Sequence, residues 1–310
     1  MTDLTLAIPS KGRLKEKSEA FFAKSGFSLK QEGGERGYRA SLNGLPNVSV
    51  MLLSAREIAQ GLIDGAFHLG ITGEDLLHDL SETPGEDARI IKRLGFGYAD
   101  VIVAVPKGWL DVTTMADLEA AGALFRERHG HRMRVATKYM RLTRRFFAAQ
   151  SVGEYRLVYS AGATEAAPAS GSSELIVDIT TTGATLEANG LKVLSDGVML
   201  RSQAALCGSR FANWTGDTIE TLRSLLSSIE ATSTARDLAL LQTTIEVPDS
   251  ALADNDLKRH GDRLLECRPA NVAIHSKFLT EAGYGPISVL RPEQIFTERS
   301  ALFENFVAEL

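Results

Sequence analysis

From Leu4 to Ser202 the sequence alternates short apolar runs with stretches of helical periodicity, and this alternation restricts the fold more than any other feature. Leu4–Ile8 is an apolar run closed by Pro9. Leu14–Lys24 then carries Leu14, Ser18, Phe21 and Phe22 on one helical face and stops at Gly26. Val48–Leu53 predicts a strand, Ala55–Asp64 a helix, His68–Thr72 a strand and Glu74–Leu80 a helix. Such alternation predicts an α/β fold with a largely parallel sheet. Phe96–Pro106, entered through Gly95 and Gly97, reads as a longer strand crossing into a second lobe. There Thr113–Leu124 and Leu142–Gln150 predict helices, and Arg134–Thr137, Arg156–Ser160 and Leu175–Ile179 predict strands. Leu186–Asn189 starts a helix that Gly190 stops, and Val193–Ser202 carries the chain back. Two crossings between two α/β lobes imply a ligand cleft between them and lobes that can hinge.

The organisation expected is therefore a first lobe from residues 1–95 together with about 190–210, and a second lobe from 96–189. Residues 211–310 form a C-terminal part. Thr218–Ala231 is amphipathic, with Ile219, Leu222, Leu225, Leu226 and Ile229 at three- and four-residue spacings. Beyond it, Thr243–Val247, Val272–His275 and Ile287–Leu290 are apolar runs around a Phe278–Ala282 helix, which suggests a small α/β appendage.

Composition narrows the function. Hydrophobic residues make 44% and charged residues 24% of the chain, which excludes a disordered or fibrous protein. The net charge of −5 is uneven. Lys and Arg number 25 against 24 acids over residues 1–210, and 9 against 15 over 211–310. A near-neutral body with an acidic tail argues against nucleic-acid binding, but it leaves room for a phosphorylated small molecule. Cys207 and Cys267 cannot make a disulfide framework, and no Cys/His cluster has zinc spacing, so a reducing cytoplasm is expected. The N-terminal stretch has the wrong charge order for a secretory signal, and no apolar run is long enough for a membrane span.

The chemistry concentrates in Glu174–Gly190, ELIVDITTTGATLEANG. An apolar strand ends at Asp178. Thr180, Thr181, Thr182, Gly183, Ala184 and Thr185 follow, and then a helix begins. Hydroxyls, backbone N–H groups and a glycine that permits close approach make an anion cradle suited to a phosphate monoester. No lysine occupies the P-loop position, so this is not a nucleotide P-loop. A carboxylate at Asp178 can accept two hydrogen bonds from a ribose diol. Four threonines in six positions exceed what capping a helix requires.

VDITTTGATLEANGL closely resembles the phosphoribosyl-pyrophosphate loop of the ATP phosphoribosyltransferase family. LAIPSKGRLKE, HLGITGEDLL, LGFGYADVIVAVP, VATKYMRLTRRFF and SAGATEAAP resemble the same family in the same order, over residues 1 to about 210. The resemblance implies two α/β lobes of periplasmic-binding-protein type. It also implies transfer of 5-phosphoribosyl from phosphoribosyl pyrophosphate to N1 of ATP, the first step of histidine biosynthesis. Phosphoribosyl-ATP and pyrophosphate are the products.

Each motif also has its own physical content. Lys11 and Arg13 flank Gly12 at a strand exit, and two cations there suit a polyphosphate or can be a solvated turn. Thr72 and Gly73 end a strand ahead of Glu74 and Asp75, acids that can simply complement a helix dipole. The resemblance implies nucleotide contacts at this turn. Lys138 is the phosphate candidate at the next strand exit. Arg144 and Arg145 lie about 100° apart on a helix, so at most one aims at the ligand and the other is expected in a salt bridge. Glu165 opens a helix and can bind ribose or magnesium, or serve the dipole. His68, His129 and His275 have no evident base or nucleophile partner, and Cys207 reads as a buried small hydrophobe.

Adenine N1 already carries a free lone pair, so the implied reaction needs positioning and charge stabilisation rather than a strong base. The resemblance assigns the 5-phosphate to Thr180–Thr185, the ribose and the cationic ring to Asp178, and polyphosphate to Lys11, Arg13 and Lys138. Mg²⁺ is expected on the pyrophosphate with few protein ligands. The family has a short form that works with a histidyl-tRNA-synthetase-like subunit, and a long form with a histidine-binding C-terminal domain. By length the chain resembles the long form. SKGRLKE and RERHGHRMRVATKYMRLT are worded like the short form, and Ala282–Phe296 resembles the end of the long form's regulatory domain. Histidine inhibition is thus implied, with a homo-oligomer, dimer or hexamer, or a hetero-oligomer as the assembly. Three rivals are a non-catalytic two-lobe anion-binding protein, a phosphoribosyltransferase with another base acceptor, and an inactive subunit. The first is usually exported, the second carries paired acids before its loop, and the intact loop argues against the third.

Overall fold

The structure is a computed structural model that describes residues 3–32, 37–252 and 257–310. The first lobe opens with β1 (Leu4–Pro9), α1 (Gly12–Lys24), β2 (Ser28–Glu32), β3 (Arg39–Asn43) and β4 (Val48–Leu53). It continues through α2 (Ala55–Ile63), β5 (Leu69–Gly73), α3 (Glu74–Leu80) and β6 (Ala88–Arg93). The second lobe holds β7 (Ala99–Pro106), α4 (Met115–His129), β8 (Met133–Thr137), α5 (Met140–Ala149) and β9 (Tyr155–Tyr159), then β10 (Leu175–Thr180), α6 (Ala184–Ala188) and β11 (Leu191–Ser202). The chain returns with β12 (Ala204–Ser209) and α7 (Gly216–Asp237). A third unit follows with β13 (Ala239–Gln242), α8 (Asp249–Leu252), β14 (Lys258–Gly261), β15 (Leu264–Cys267), α9 (Val272–Glu281) and β16 (Ser288–Leu290), and α10 (Ala301–Val307) closes the chain.

Among the described residues the strands form three sheets, ordered β2-β3-β4-β1-β5-β12-β6, β11-β7-β10-β8-β9 and β14-β15-β13-β16. β1 lies parallel between β4 and β5, and β8 lies parallel between β10 and β9. The period-two alternation of a strand explains how both faces are buried. In β1, Leu4, Leu6 and Ile8 enter the larger first-lobe core while Ala7 faces the core under α2. In β7, Val101, Val103 and Val105 face one core, and Ile102 and Ala104 face another. Ser54 and Glu57 form a capping box that starts α2, and Thr114 and Asp117 do the same for α4.

Several sequence expectations are corrected. The stretch from about 190 was expected in the first lobe, but β11 pairs antiparallel with β7 in the second sheet. The return crossing therefore falls between Ser202 and Ala204, because Lys192 and Val193 find their partners on β7. The two crossings are laced together. Ala204 N–H donates to the Phe96 carbonyl at 2.9 Å, Leu94 N–H to the Ala204 carbonyl at 3.0 Å, and Gly95 N–H to Gln203 Oε1 at 3.0 Å. Thr243–Val247 is not a strand; the strand is β13 just before it. Val272–His275 is the first turn of α9 rather than a strand, since Val272, His275 and Leu279 follow helical spacing. The acids Glu74 and Asp75 are buried rather than solvated at a helix start.

The C-terminal segment belongs to the first lobe. Phe303 and Phe306 of α10 are buried in the first-lobe core beside Leu225 and Leu226 of α7. Phe306 packs edge-on against Trp214, which in turn meets His68. The third unit is thus inserted between two helices that both cover the first sheet. No helix among the described residues is long and apolar enough to cross a membrane.

Candidate active site

Asp178 and Ile176 are two residues apart on β10, so both face the side of the sheet covered by Leu186 and Ala167. The short 3₁₀ turn Thr164–Ala166 brings Glu165 to the same side. Glu165, Asp178, Thr180, Thr181, Thr182, Ala184 and Thr185 line a pocket of about 330 Å³ whose apolar wall is Ile179 and Leu186.

The loop is held by its own hydroxyls. Gly183 N–H donates to Thr180 Oγ1 at 2.9 Å, and Ala184 N–H reaches Thr182 Oγ1 at 3.4 Å. Thr181 donates its hydroxyl to the Tyr98 carbonyl at 3.1 Å, which ties the loop to the first crossing. Thr185 keeps its hydroxyl uncommitted among the described residues. Gly183 has φ +76°, a conformation that other residues adopt only with strain, and a Cβ there would meet nothing within 4 Å. The backbone at Gly183 is therefore bare. The first N–H groups of α6 precede any intrahelical acceptor, so Thr185 and Leu186 present donors to this space. A five-residue helix has little dipole, and the cradle rests on these N–H groups and hydroxyls.

Asp178 is half-buried. Burial raises its carboxyl above the usual range; its bond from the Ile179 N–H and the Lys138 charge oppose the rise, and Glu165 adds to it. The Ile179 N–H donates to Asp178 Oδ1 at 2.8 Å and fixes one oxygen, leaving the other toward the pocket. Lys138 lies with its ammonium 4.9 Å from the centre of the Tyr139 ring. The structure thus brings Asp178, Glu165 and the threonine loop into one pocket, with Lys138 near enough for its charge to act on Asp178.

Lys11, Gly12 and Arg13 are exposed where β1 passes into α1, and neither cation has a hydrogen-bond or ion-pair partner among the described residues. The same helix packs on the first crossing: Lys17 sits 5.7 Å from the centre of the Phe96 ring, and a Cβ on Gly97 would meet Leu14 at 3.3 Å. That crossing, through Tyr98, also carries Thr181. Thr72 and Gly73 end β5, but the Thr72 hydroxyl is buried and donates to the Ala55 carbonyl at 2.7 Å. Only the backbone of this turn is left to meet a ligand.

Arg144 lies away from the threonine loop. It does not line the threonine-loop pocket, because the buried face of α5 is Leu142, Thr143 and Phe147, and Arg144 points outward from it. It borders a groove of about 650 Å³ with Arg56, Asp79 and Arg141. That groove is larger than the loop pocket, but its Arg56 and Arg141 are paired to Asp79 and Glu82 and it has no comparable set of backbone donors. Arg145 is not in a salt bridge; its guanidinium donates to the carbonyls of His78 and Ser81 at the end of α3. Among the described residues no cluster of three or more His, Cys, Asp or Glu side chains could hold a metal ion.

Sequence reasoning missed the connection between Asp75 and Tyr139. Tyr139 is fully buried, and its hydroxyl donates to Asp75 Oδ2 at 2.6 Å. The polar neighbours of Tyr139 in VATKYMRLT gave no hint of a buried phenol.

The sequence model of a family described as "HisG: ATP phosphoribosyltransferase" matches residues 54–230. An ATP phosphoribosyltransferase of Caulobacter vibrioides is 49% identical over 316 residues, covering 100% of this chain and 98% of its own. One from Rhodopseudomonas palustris is 48% identical over 317 residues, covering 98% of each. Among solved structures, the "ATP phosphoribosyl transferase (HisG:HisZ) complex from Thermotoga maritima" is similar in fold, with a TM-score of 0.56 and 24% identity over 73% of this chain and 98% of that one.

Proposed function

The chain belongs to the ATP phosphoribosyltransferase family, and on that premise we propose that the threonine-loop pocket is its phosphoribosyl site. The activity is transfer of 5-phosphoribosyl from phosphoribosyl pyrophosphate to N1 of ATP, the first step of histidine biosynthesis. The observation that carries the site assignment is the pairing of a bare, donor-rich loop around Gly183 with a half-buried carboxylate at Asp178 on one sheet face.

In this reading the 5-phosphate lies over Gly183, held by the N–H groups of Thr185 and Leu186 and by the hydroxyls of Thr182 and Thr185. Thr181 shapes the loop rather than touching the ligand, since its hydroxyl proton goes to the Tyr98 carbonyl, whereas Thr180 and Thr182 only accept loop N–H groups and keep their hydroxyl protons for the phosphate. Asp178 takes the ribose diol. As the bond from C1 to pyrophosphate lengthens, positive charge grows on the ring, and the nearby carboxylate stabilises it. Adenine N1 attacks with its own lone pair, so the protein moves no proton in this step. Lys138, with Lys11 and Arg13 from the first lobe, neutralises the departing pyrophosphate and the ATP phosphates. The backbone of Thr72 and Gly73 borders the ATP side.

Asp178 and Glu165, the carboxylates of the pocket, would hold a Mg²⁺ ion brought by the polyphosphate substrates, and the ion would neutralise part of the phosphate charge.

The third unit is proposed as the regulatory or assembly element, with histidine as the inhibitor and a homo-oligomer as the state in solution. Its insertion between α7 and α10 supports this, because any rearrangement there acts directly on helices of the first-lobe core. A second subunit, as in the complex named for Thermotoga maritima, is the alternative assembly.

Calorimetric titration of the chain with phosphoribosyl pyrophosphate and Mg²⁺ tests the site. Thr185→Val should weaken binding about tenfold while Arg144→Ala leaves it unchanged. Equal binding by wild type and Thr185→Val would place the phosphate elsewhere.

A further inference from the structure

Asp75 is buried on α3 of the first lobe, and each of its carboxylate oxygens is taken by a different segment of the second lobe. Oδ2 accepts from the Tyr139 hydroxyl at 2.6 Å, and Oδ1 accepts from Ser202 Oγ at 2.8 Å. Ser202 Oγ in turn accepts the Asp75 N–H at 3.0 Å. Tyr139 is the turn between β8 and α5, and Ser202 is the last residue of β11 before the return crossing. One carboxylate therefore joins the first lobe to both the helical layer and the crossing strand of the second.

The surrounding contacts reinforce the join by mutual capping of two helices. Asp79 Oδ1 of α3 accepts the first N–H groups of α5, from Arg141 at 3.0 Å and Leu142 at 3.2 Å. In return Arg141 donates to the Leu80 carbonyl at 2.6 Å, and Arg145 donates to the Ser81 carbonyl at 3.1 Å. Each helix supplies what the other's end lacks. Burial, with the Asp75 charge beside it, holds the Tyr139 phenol well above its ordinary pKa, so it stays a donor. Lys138, the cation facing Asp178, is the preceding residue and rests on the Tyr139 ring.

We propose that Tyr139, pinned by Asp75, is a positioning residue for phosphoribosyl transfer: it fixes the angle between the lobes and holds Lys138 toward the Asp178 pocket. The lobes then do not swing freely about the two crossings. ATP on the first lobe and phosphoribosyl pyrophosphate on the second meet at an angle set by this pin, and each keeps its main anchor on its own lobe whether or not the pin is intact, the cross-lobe cations acting chiefly on the charge that develops as pyrophosphate leaves. Loss of the pin therefore lowers kcat and leaves both KM values nearly unchanged, because only alignment is lost.

The test combines kinetics with a lobe-to-lobe distance. Cysteines placed at the exposed Lys30 and Glu127 carry spin labels on the two lobes, and the native Cys207 and Cys267 are buried and do not label. The wild type should give one narrow distance distribution. Tyr139→Phe, which keeps the ring and removes only the hydroxyl, should broaden it and lower kcat about tenfold or more, at a temperature well below the variant's thermal midpoint. Asp75→Asn keeps an acceptor for Tyr139 and should retain the narrow distance and a kcat within about twofold of wild type. Asp75→Ala, which also releases Ser202, should be at least as severe as Tyr139→Phe, and the double variant should be no worse than Asp75→Ala. A narrow distance in Tyr139→Phe overturns the pin. A broadened distance with unchanged kcat overturns its catalytic role. A raised KM for ATP in Asp75→Asn, with Tyr139→Phe normal, would make Asp75 a substrate ligand and also overturn it. The kinetic half rests on the site proposed above; the distance half does not, so failure of either is separable.

Discussion

Gly183 and Thr180 close the threonine loop on itself: the Gly183 N–H donates to Thr180 Oγ1 at 2.9 Å, with Gly183 at φ +76°. Two separate requirements meet in this one contact. Thr180→Val removes the acceptor and leaves a loop N–H unsatisfied, while Gly183→Ala forces a side chain into a left-handed conformation. Gly183→Ala should cost about 1 kcal/mol of stability. On the proposed site a side chain there also crowds the phosphate, so KM for phosphoribosyl pyrophosphate should rise by more than that cost implies. Urea unfolding beside steady-state kinetics separates the two effects.

Asp178→Asn should lower kcat about 100-fold, as expected for removing a preorganised charge from a developing cation. It should not lower the thermal midpoint. Burial raises the Asp178 carboxyl, so the folded state binds its proton more tightly than the unfolded chain does. The ionised group therefore opposes folding, increasingly so as pH rises from the ordinary carboxylate pKa through the folded one. Asparagine relieves that opposition, and the midpoint at pH 8 should hold or rise by a degree or two. In the wild type, turnover should fall on acidification at a higher pH than an ordinary aspartate would give, and this limb should disappear in the variant.

His68 makes the opposite pH signature. Its Nδ1 accepts the Thr5 N–H at 3.1 Å and its Nε2 faces the Asn213 carbonyl at 3.1 Å, an arrangement suited to the neutral ring. Burial lowers its pKa, with the Asn213 carbonyl opposing. The unfolded chain then takes up the proton first, so stability is present above about pH 6.5 and declines as pH falls from there toward the folded pKa. Denaturant midpoints measured between pH 7.5 and 5.5 should decrease in the wild type and flatten in His68→Gln.

Phe306→Ala should destabilise the first lobe by about 3–5 kcal/mol. Phe306 fills the space over Gly208 and packs on Trp214. A truncation that removes residues 291–310 should be worse still, and a cut after Ala231 should leave the lobes unable to hold their fold. Thermal melts followed by near-ultraviolet signals from Trp214 would register both.

Much of this architecture was written in local pattern. Val48–Leu53 and Glu74–Leu80 lie where apolar spacing put them, and VDITTTGAT announced its strand, loop and helix because each residue type there has one dominant use. What failed was non-local. Nothing in Leu191–Ser202 says that it pairs with β7 rather than returning at once, since register is decided by a partner distant in sequence. The edge strand β2 and its neighbour β3 carry few apolar residues, as SLKQE and RASLN show, so neither is legible from apolar spacing. Arg145 looked like one half of a salt bridge, but its partners are backbone carbonyls, which leave no trace in sequence. Asp75 and Glu74 imitated solvated dipole-capping acids, and only the arrival of Tyr139, Ser202 and Arg93 from elsewhere in the chain buries them.

The central claim is that Asp178 and the threonine loop catalyse phosphoribosyl transfer to ATP. The most direct measurement follows phosphoribosyl-ATP by its ultraviolet absorbance. It uses the purified full chain with ATP, phosphoribosyl pyrophosphate, Mg²⁺ and inorganic pyrophosphatase, and compares wild type with Asp178→Asn. The account predicts steady product formation by the wild type and at most about a hundredth of that rate in the variant, with both proteins equally folded. Equal rates in the two proteins would contradict it.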